Sequence, residues 1–275
     1  MVIVIQCADR VGLVAAISGI MAQHEVNIVS MREHVDTSDN RFFARLVVEN
    51  NYHATSLQNE LRSVLPVGAF VHVNPIPEKK IVVLVTKEHH CLSDILVRNH
   101  FKTLGAKVEC VVGNHCVLDD ITNKFSVPFH YISHEGKSKE DFERELLGTI
   151  NGYYADYLVL AKFMRILSPS FIEKFSARII NIHHSFLPAF AGANPYRQAY
   201  ERGVKLIGAT AHFVTNELDE GPIIAQEIIP VNHSFSAADM MRAGKEIETA
   251  VLARALHFVM EDRVFVYNNK TVVFD

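Results

Sequence analysis

Residues 81–85, Ile81-Val82-Val83-Leu84-Val85, form an unbroken apolar run that decides the fold of most of this chain. A strand that is buried on both faces of a parallel sheet carries apolar side chains at every position, whereas a half-exposed strand alternates. Further candidate strands follow at Lys107–Val112, Pro128–Ile132, Tyr157–Leu160 and Ile179–His183. Helical patterns lie between them, such as Asp94–Leu104 and Lys139–Asn151. This alternation of strand and helix predicts a doubly wound α/β sheet.

The remainder of this region extends the same pattern. Its candidate elements are two strands, a long helix and a hairpin around Asn268-Asn269, at Lys205–Val214, Ile223–Val231, Ala237–Glu261, Val264–Tyr267 and Thr271–Phe274. We therefore assign residues 81–275 to one mostly parallel, Rossmann-like domain. Ligands of such sheets bind beyond the carboxyl ends of the strands, so functional side chains are expected there.

The first 74 residues show a different order of elements, βαββαβ. Strands are predicted at Val2–Gln6, Asn27–Val35, Phe42–Glu49 and Ala69–Val73, and helices at Val11–His24 and His53–Leu65. This order is typical of a small ferredoxin-like sandwich. Pro75 and Pro77 bar regular structure and Glu78-Lys79-Lys80 adds charge, so residues 75–80 are predicted to be a solvated linker.

The composition and net charge of the chain limit the kinds of binding partner that are expected. The chain of 275 residues is long enough for two domains, and its net charge of −4 makes neither nucleic acid nor an anionic membrane an expected partner. No apolar run reaches membrane-spanning length, and Met1–Cys7 enters a strand without the basic start of a signal peptide. Cys7, Cys91, Cys110 and Cys116 lack C-x-x-C spacing and have apolar neighbours. We expect a cytoplasmic protein with reduced core thiols.

Polar side chains at the end of the strand Ile179–His183 indicate a reaction centre. Side chains alternate along a strand, so Asn181 and His183 project to the same side. An amide N–H beside an imidazole supplies two donors for an oxygen that becomes negative, although such a pair also occurs as ordinary structural hydrogen bonding. Asp219 follows in the Gly-Pro loop Leu218–Ile224. The three side chains together suggest acyl-group chemistry without a metal.

The block Arg178–Gln226, together with Leu160–Pro169, resembles the catalytic half of the formyltetrahydrofolate-dependent formyltransferases and hydrolases. That family carries Asn-x-His followed by an Asp in a loop, so the resemblance implies that Asn181, His183 and Asp219 are catalytic. It also implies that two segments bind the pterin ring, largely through backbone groups. Their residues are Phe163, Met164, Arg165, Ile166 and Leu167 in the first segment, and Glu220 and Gly221 in the second. No cofactor is implied, because 10-formyltetrahydrofolate is the substrate.

Two features favour water over an amine as the formyl acceptor. The family's glycinamide ribonucleotide transferases have a Gly-rich phosphate loop after the first strand, whereas Val85–Asp94 contains no glycine and two acids. The chain instead resembles the family's deformylases around His90 and through His183–Pro188, and Asn114 matches their pattern. His90 and Asn114 are therefore added as substrate-binding candidates. The resemblance implies hydrolysis of 10-formyltetrahydrofolate to formate and tetrahydrofolate, which supplies formate for purine synthesis and balances one-carbon folate pools.

The N-terminal pattern Cys7–Val14, followed by Val26-Asn27-Ile28, resembles an ACT domain, a regulatory module that commonly binds amino acids. Asp9 is placed to cap the next helix, and Gly12 permits close approach of a ligand. Asp9, Gly12 and Asn27 are therefore candidate effector-binding residues, and assembly of subunits without a ligand is the alternative. By resemblance, the expected effector is methionine or glycine, and the expected oligomer is a homodimer or homotetramer.

Other functions stay open. One alternative is a formyltransferase that acts on an amine such as glycinamide ribonucleotide, and another is a non-catalytic regulator that binds folate or an amino acid. A metal site is not predicted, because histidines such as His183, His184 and His212 fit no H-E-x-x-H framework and the cysteines fit no C-x-x-C framework. In addition, the adjacent strand residues His183 and His184 are expected to face opposite ways.

Overall fold

The computed structural model describes residues 1–49, 54–74, 78–188 and 195–275, and its contacts divide the chain into two units. The first unit comprises Met1–Pro77, Glu261–Tyr267 and Val272–Asp275, and the second comprises Glu78–Met260 and Asn268–Thr271. Residues 75–77, which include both prolines of the predicted linker, lie outside the described residues, as does His53 at the predicted start of a helix.

The first unit has the predicted ferredoxin-like order. Its elements are β1 (Val2–Ala8), α1 (Leu13–Gln23), β2 (Ile28–Asp36), β3 (Arg41–Val48), α2 (Ala54–Val64) and β4 (Phe70–Asn74). The strands form an antiparallel sheet in the order β2-β3-β1-β4. Alternate residues of β1, such as Ile3 and Ile5, are fully buried together with Ile17 of α1 and Leu57 of α2. The apolar residues that alternate along the strand therefore pack in one core with those at helical spacing in α1 and α2.

A C-terminal hairpin completes the first unit. It consists of β12 (Val264–Tyr267) and β13 (Lys270–Val273). Phe265 packs edge-on against Phe43 with ring centroids 5.6 Å apart, and Phe274 belongs to the same apolar cluster. The sequence-based division placed all of 81–275 in the second domain, whereas the contacts place most of the hairpin in the first unit. The reason is that the hairpin's aromatic side chains find their apolar partner in β3 rather than in the parallel sheet.

The second unit is a mixed, mostly parallel sheet with helices. Its strands are β5 (Lys79–Val85), β6 (Ala106–Gly113), β7 (Phe129–Tyr131), β8 (Tyr157–Leu160), β9 (Ile179–His183), β10 (Leu206–Phe213) and β11 (Ile223–Pro230). Its helices are α3 (His90–His100), α4 (Asp119–Lys124), α5 (Lys139–Ile150), α6 (Pro169–Ile172), α7 (Pro195–Arg202) and α8 (Ala237–Met260), with single 3-10 turns at Cys116–Leu118 and Glu173–Phe175. The sheet order is β11-β10-β9-β8-β5-β6-β7. The predicted α/β class is confirmed.

The apolar run 81–85 lies at the centre of this sheet, between β6 and β8, and all five of its residues are fully buried. The strand begins earlier than predicted, because Lys79 and Lys80 pair with Ala106 and Lys107 of β6. The Lys80 N–H also donates to Asp156 at 2.7 Å. The predicted linker is therefore wrong at its C-terminal end: a partner strand supplies hydrogen bonds that outweigh the preference of the two lysines for solvent.

Three of the four cysteines lie in the core. Cys7, Cys91 and Cys110 are buried, whereas Cys116 is exposed at the start of a 3-10 turn, and all four are free. Burial raises the pKa of Cys110 to about 12, so this thiol stays protonated. Among the residues that the structure describes, none of the helices combines the length and the apolar character that crossing a bilayer requires.

The candidate site lies where the parallel strands β8 and β9 adjoin the antiparallel strand β10. Strands β8 and β9 are parallel and end at Leu160 and His183, while β10 runs antiparallel beside β9. In this register His212 lies opposite Asn181. Asn181, His183 and His212 therefore gather at the same edge of the sheet, where the carboxyl ends of the parallel strands lie.

Candidate active site

A cleft of about 470 Å³ opens at this edge of the sheet. Its polar lining includes Asn181, His183, His212 and Asp219. Its apolar lining comes mostly from the segment that follows β8, and it includes Phe163, Met164, Ile166, Leu167, Ile172, Val214 and Leu218. A concave, mostly apolar cavity with a few convergent polar groups is the usual form of a small-molecule site.

Asp219 and His183 are in direct contact. His183 Nδ1 lies 3.2 Å from Asp219 Oδ2, and His183 is buried at the end of β9. The carboxylate accepts a hydrogen bond from Nδ1–H, which orients the imidazole and directs its other nitrogen, Nε2, away from the aspartate. The structure therefore brings together the three residues that the sequence assigned to catalysis, and their catalytic roles remain a proposal.

His212 is a fourth polar residue of this group, and sequence reasoning did not assign it a role. His212 Nε2 lies 3.6 Å from Asp219 Oδ1 and 3.2 Å from Asn181 Nδ2, and its Nδ1 lies 2.9 Å from the carbonyl oxygen of Phe213. The carbonyl requires a proton on Nδ1, so the Nε2 of a neutral imidazole accepts from the Asn181 amide. His212 thereby orients Asn181 toward the cleft. A histidine within the mostly apolar strand Leu206–Phe213 was the sequence signal for it.

Two opposing effects act on the ionisation of Asp219. Burial raises the pKa of its carboxyl group, but the hydrogen bond from His183 and the nearby imidazole of His212 more than offset this effect. The net result is a pKa well below the ordinary aspartate value. Asp219 is therefore a carboxylate at neutral pH, which suits a group that orients and polarises an imidazole.

The second nitrogen of His183 has a distinct environment. His183 Nε2 is buried and has no hydrogen-bond partner among the described residues. A buried imidazole nitrogen without a partner costs free energy, which a bound group that supplies the missing hydrogen bond recovers. Because His183 lines the cleft, a substrate oxygen is a suitable partner for this atom.

The loop that carries Asp219 depends on Gly221. Asp219 itself has a left-handed backbone with φ of 59°, which aspartate tolerates better than most residues. A Cβ on Gly221 would lie 1.7 Å from the carbonyl oxygen of Phe213, so only glycine lets the loop lie against the end of β10. The Phe213 N–H, in turn, donates to the carbonyl of Pro222 at 2.9 Å. Gly221 therefore positions Asp219 and is not among the residues that line the cleft.

Replacing Gly221 with Ala is expected to lower the rate of a reaction at this site about 100-fold, because a displacement of roughly 1 Å at a reacting group has an effect of that size. The measurement is kcat for the hydrolysis that the family resemblance implies. Gly148→Ala in α5 is the matched control, since a Cβ there has no neighbour within 4 Å. Equal activity of the two variants would contradict the positioning role of Gly221.

The segment that follows β8 forms the apolar wall of the cleft. All five residues from Phe163 to Leu167 line it, as the resemblance implied for a folate-binding segment. Lys162 begins this segment with a left-handed φ of 62°, and the Met164 N–H donates to Thr86 Oγ1 at 2.9 Å. The exposed side chains of Met164 and Ile166 give this wall a surface that a flat ring system can cover.

A second polar cluster surrounds Glu248 of α8, which is 1% exposed. Its carboxylate lies 2.8 Å from His90 Nε2 and 3.1 Å from Lys162 Nζ, and it accepts from the Tyr196 hydroxyl at 2.6 Å. Burial raises the pKa of Glu248, but these partners outweigh it and hold the pKa at about 2. His90, a predicted substrate-binding residue, therefore hydrogen-bonds to Glu248 and lines a neighbouring cavity of about 880 Å³ rather than the cleft.

The Glu248 cluster also contains a candidate set of metal ligands. Ligand atoms of His90, Cys91 and Glu248 lie within 4.8 Å of one another. However, the ammonium group of Lys162 is the nearby cation for Glu248, and burial raises the pKa of Cys91 far above the ordinary thiol value. A protonated thiol is a poor metal ligand, so this donor set does not fit a resident metal.

Three further predictions about the polar residues need correction. Asn114 does not line the cleft: it is buried, and its Nδ2 lies 3.3 Å from His134 Nδ1. The rings of His183 and His184 do not face opposite ways, because they stack with centroids 4.7 Å apart. Strand β9 ends at His183, so the alternation of side chains does not extend to His184. Glu220, a predicted substrate-binding residue, is exposed and also lies outside the cleft lining.

The candidate effector residues lie in the first unit. Gly12 is the N-cap of α1 with φ of 89°, and no side chain caps this helix, so the prediction that Asp9 caps it is wrong. Asp9 instead holds the β2–β3 turn, since its backbone N–H donates to the carbonyl of Asn40 at 2.9 Å. Asn27 Nδ2 donates to Glu49 at 3.1 Å. Among the described residues, no atom lies within 4 Å of the position that a Cβ on Gly12 would take. This open space adjoins the N–H groups at the start of α1, which no side chain caps.

Comparison with known proteins relates both units to characterised families. Residues 79–256 match the formyl transferase family and residues 1–63 match the ACT domain. The formyltetrahydrofolate deformylase of Escherichia coli strain K12 is 49% identical over 267 residues, which cover 97% of this chain and 95% of that protein. The crystal structure of a formyltetrahydrofolate deformylase from Pseudomonas syringae pv. tomato DC3000 has a TM-score of 0.95 at 38% identity, and the match covers 100% of this chain and 94% of the other.

A structure of a transferase matches less of the chain. Glycinamide ribonucleotide transformylase 1 from Symbiobacterium toebii has a TM-score of 0.69 at 29% identity, and the match covers 72% of this chain and 95% of the other. The likeness to the deformylases therefore extends over essentially the whole chain, whereas the likeness to this transformylase leaves more than a quarter of it unmatched.

Proposed function

This chain belongs to the formyltetrahydrofolate deformylase family, and on that premise we propose how Asn181, His183 and Asp219 bring about hydrolysis. The enzyme is a hydrolase that converts 10-formyltetrahydrofolate and water into formate and tetrahydrofolate. The observation that carries the proposed mechanism is the contact of 3.2 Å between Asp219 and His183 inside the cleft. The release of formate for purine synthesis, and the balance of folate pools, follow from this reaction as its proposed physiological role.

Binding of the folate is proposed to use the two sides of the cleft. The wall formed by residues 163–167 offers apolar side chains and backbone groups to the flat pterin ring. The loop that carries Asp219 also lines the cleft, through Leu218 and Asp219. A ring held in this way places its formyl group next to the polar residues at the end of β9.

In the first step, a water oxygen attacks the formyl carbon and the carbonyl oxygen becomes an oxyanion. The Asn181 amide N–H and the Nε2–H of a protonated His183 donate to this oxygen. His183 Nε2 is suited to this role because it is buried and none of the described residues offers it a hydrogen-bond partner. The ionised Asp219 stabilises the positive charge of His183 through Nδ1.

In the second step, the bond between the carbon and the folate nitrogen N10 breaks. One proton of the attacking water leaves to solvent as formic acid ionises to formate. The other is accepted by the Asp219 carboxylate and passed to the leaving nitrogen, so that tetrahydrofolate is released. Asp219 and His183 form the relay for this proton, since they are joined by a hydrogen bond and both line the cleft. The reaction needs no metal or cofactor in this scheme.

The test is an assay for formate with 10-formyltetrahydrofolate and no added acceptor. We expect formate and tetrahydrofolate in equal amounts, and unchanged activity in the presence of EDTA. A transferase would release little formate, and added glycinamide ribonucleotide would be converted to its N-formyl product together with tetrahydrofolate, without formate. Binding of folate without any release of formate would identify a regulator rather than an enzyme.

The first unit is proposed to bind an amino-acid effector, because it is an ACT domain and because Gly12 leaves free N–H groups and open space at the start of α1. Methionine and glycine are the proposed effectors, and a homodimer or homotetramer in the cytoplasm is the proposed form. Millimolar methionine or glycine is expected to raise the melting temperature and to change the rate of formate release. Gly12→Val should abolish both responses while basal activity remains, and an unchanged response would remove Gly12 from the effector site.

A further inference from the structure

The folate-facing segment is held at its far end by a buried carboxylate that lies outside the cleft. Glu143 of α5 is 6% exposed and accepts a hydrogen bond from the Ser168 N–H at 2.7 Å. Its second carboxylate oxygen accepts from the Ser168 hydroxyl. Both oxygens of one carboxylate therefore serve the residue that directly follows the cleft wall 163–167.

Burying the carboxylate of Glu143 costs free energy, and the hydrogen bonds from Ser168 offset this cost. Glu143 lies on the apolar face of α5, between Phe142 and Leu146, which are both core residues. Burying a carboxylate in such surroundings is unfavourable, and two donors from a single residue offset the cost only while that residue keeps its place. Ser168 in turn caps α6, because the Phe171 N–H donates to its Oγ at 3.2 Å.

The same helix supports the other end of the wall. The ring of Phe142 stacks on that of Phe163, with centroids 6.4 Å apart and an angle of 15° between the planes. Lys162, immediately before Phe163, is held by Glu248 at 3.1 Å. The wall is therefore tied at both ends to buried acids on two different helices, and between them the Met164 N–H is held by Thr86.

We propose that Glu143 is a positioning residue for the substrate: by holding Ser168, it sets the geometry of the wall 163–167 and thus the affinity for the folate. The proposal rests on the proposed role of this wall in folate binding. Glu143 touches none of the reacting groups, so its effect falls on ground-state binding, and the chemical step at Asn181, His183 and Asp219 stays intact.

Glu143→Gln is the variant that tests this. Glutamine has the same shape, but it is uncharged and one of its two terminal atoms donates, so the Ser168 hydroxyl loses its charged acceptor and can only accept from the amide N–H. We expect KM for 10-formyltetrahydrofolate to rise about tenfold, consistent with the loss of one hydrogen bond to a charged group, while kcat changes less than about twofold. Glu145→Gln, an exposed glutamate on the same helix that pairs with Lys137, should leave both constants unchanged.

A second variant separates positioning from folding. Ser168→Ala removes the hydroxyl donor on the other side of the contact and leaves Glu143 in place. If Glu143 acts through Ser168, the rise in KM of the double variant will be smaller than the product of the two single effects. Calorimetric titration with tetrahydrofolate should show the same weakening in Kd for each single variant, with an intact melting transition.

The outcomes are distinct. A kcat that falls as much as KM rises, a KM unchanged in both single variants, or fully independent effects in the double variant would each overturn the positioning role. Failure of the wild-type enzyme to release formate would instead overturn the proposed reaction, and the titration with tetrahydrofolate would then still test whether Glu143 supports a folate site.

Discussion

Replacing Asp219 with Asn is expected to lower kcat for formate release about 10³–10⁴-fold. The asparagine side chain carries no charge, and it can turn its amide N–H toward His183 Nδ1, which then loses its proton and its orientation. Since Asp219 is ionised at neutral pH and contacts both His183 and His212, its replacement removes the charge that stabilises the protonated imidazole. KM should change only a few-fold, because the apolar wall of the cleft stays in place.

The measurement for Asp219→Asn is the steady-state rate of formate release without an acceptor, alongside the melting temperature. Glu217→Gln is the matched control: it removes an exposed carboxylate two residues away in the same loop and leaves the cleft lining intact. An Asp219→Asn enzyme that keeps more than about a tenth of the wild-type kcat would rule out the proposed relay between Asp219 and His183.

Replacing Asn181 with Ala is expected to lower kcat about 10²–10³-fold, which is the usual effect of removing one donor from a developing oxyanion. The amide lies at the middle of β9, in a register opposite His212, so the strand itself should remain intact. His212 loses the donor for its Nε2 but keeps its contact with Asp219. The loss should therefore fall mainly on the transition state.

Single-turnover rates with saturating enzyme provide the clearest measurement for Asn181→Ala, because they report the chemical step without product release. Asn123→Ala, which removes an exposed amide from α4, is the control. A single-turnover rate within about fivefold of wild type would show that Asn181 is a structural residue of the strand end rather than an oxyanion donor.

Much of the fold could be predicted because each element follows a local pattern. The apolar run 81–85 indicated a central buried strand, and the alternation of strands and helices indicated the parallel sheet. That Asn181, His183 and Asp219 lie in one cleft could also be predicted, since two lie on one strand and the third lies in a loop that a family resemblance identifies, while their catalytic roles remain a proposal. The assignment required Asp219 to lie in contact with His183, and the structure contains this contact.

The remaining features depend on long-range pairing that no local pattern reveals. The role of His212 follows from the antiparallel register of β10 against β9, and sequence alone does not specify that register. The buried acids Glu143 and Glu248 lie on helices whose other acidic residues are exposed or half-buried, and only tertiary packing distinguishes them. His90 and Asn114 occupy suggestive positions at the start of α3 and after β6, but hydrogen-bond partners away from the cleft engage both.

The hairpin β12–β13 gives the order of synthesis a consequence for folding. When residues 1–77 have been translated, Phe43 still lacks Phe265 and Phe274, the other buried members of its apolar cluster. Residues 78–260 are translated in between, so every described strand of the seven-stranded sheet has been made before the first unit receives these aromatic residues. Transferring the first unit to another protein would accordingly require both of its separated segments.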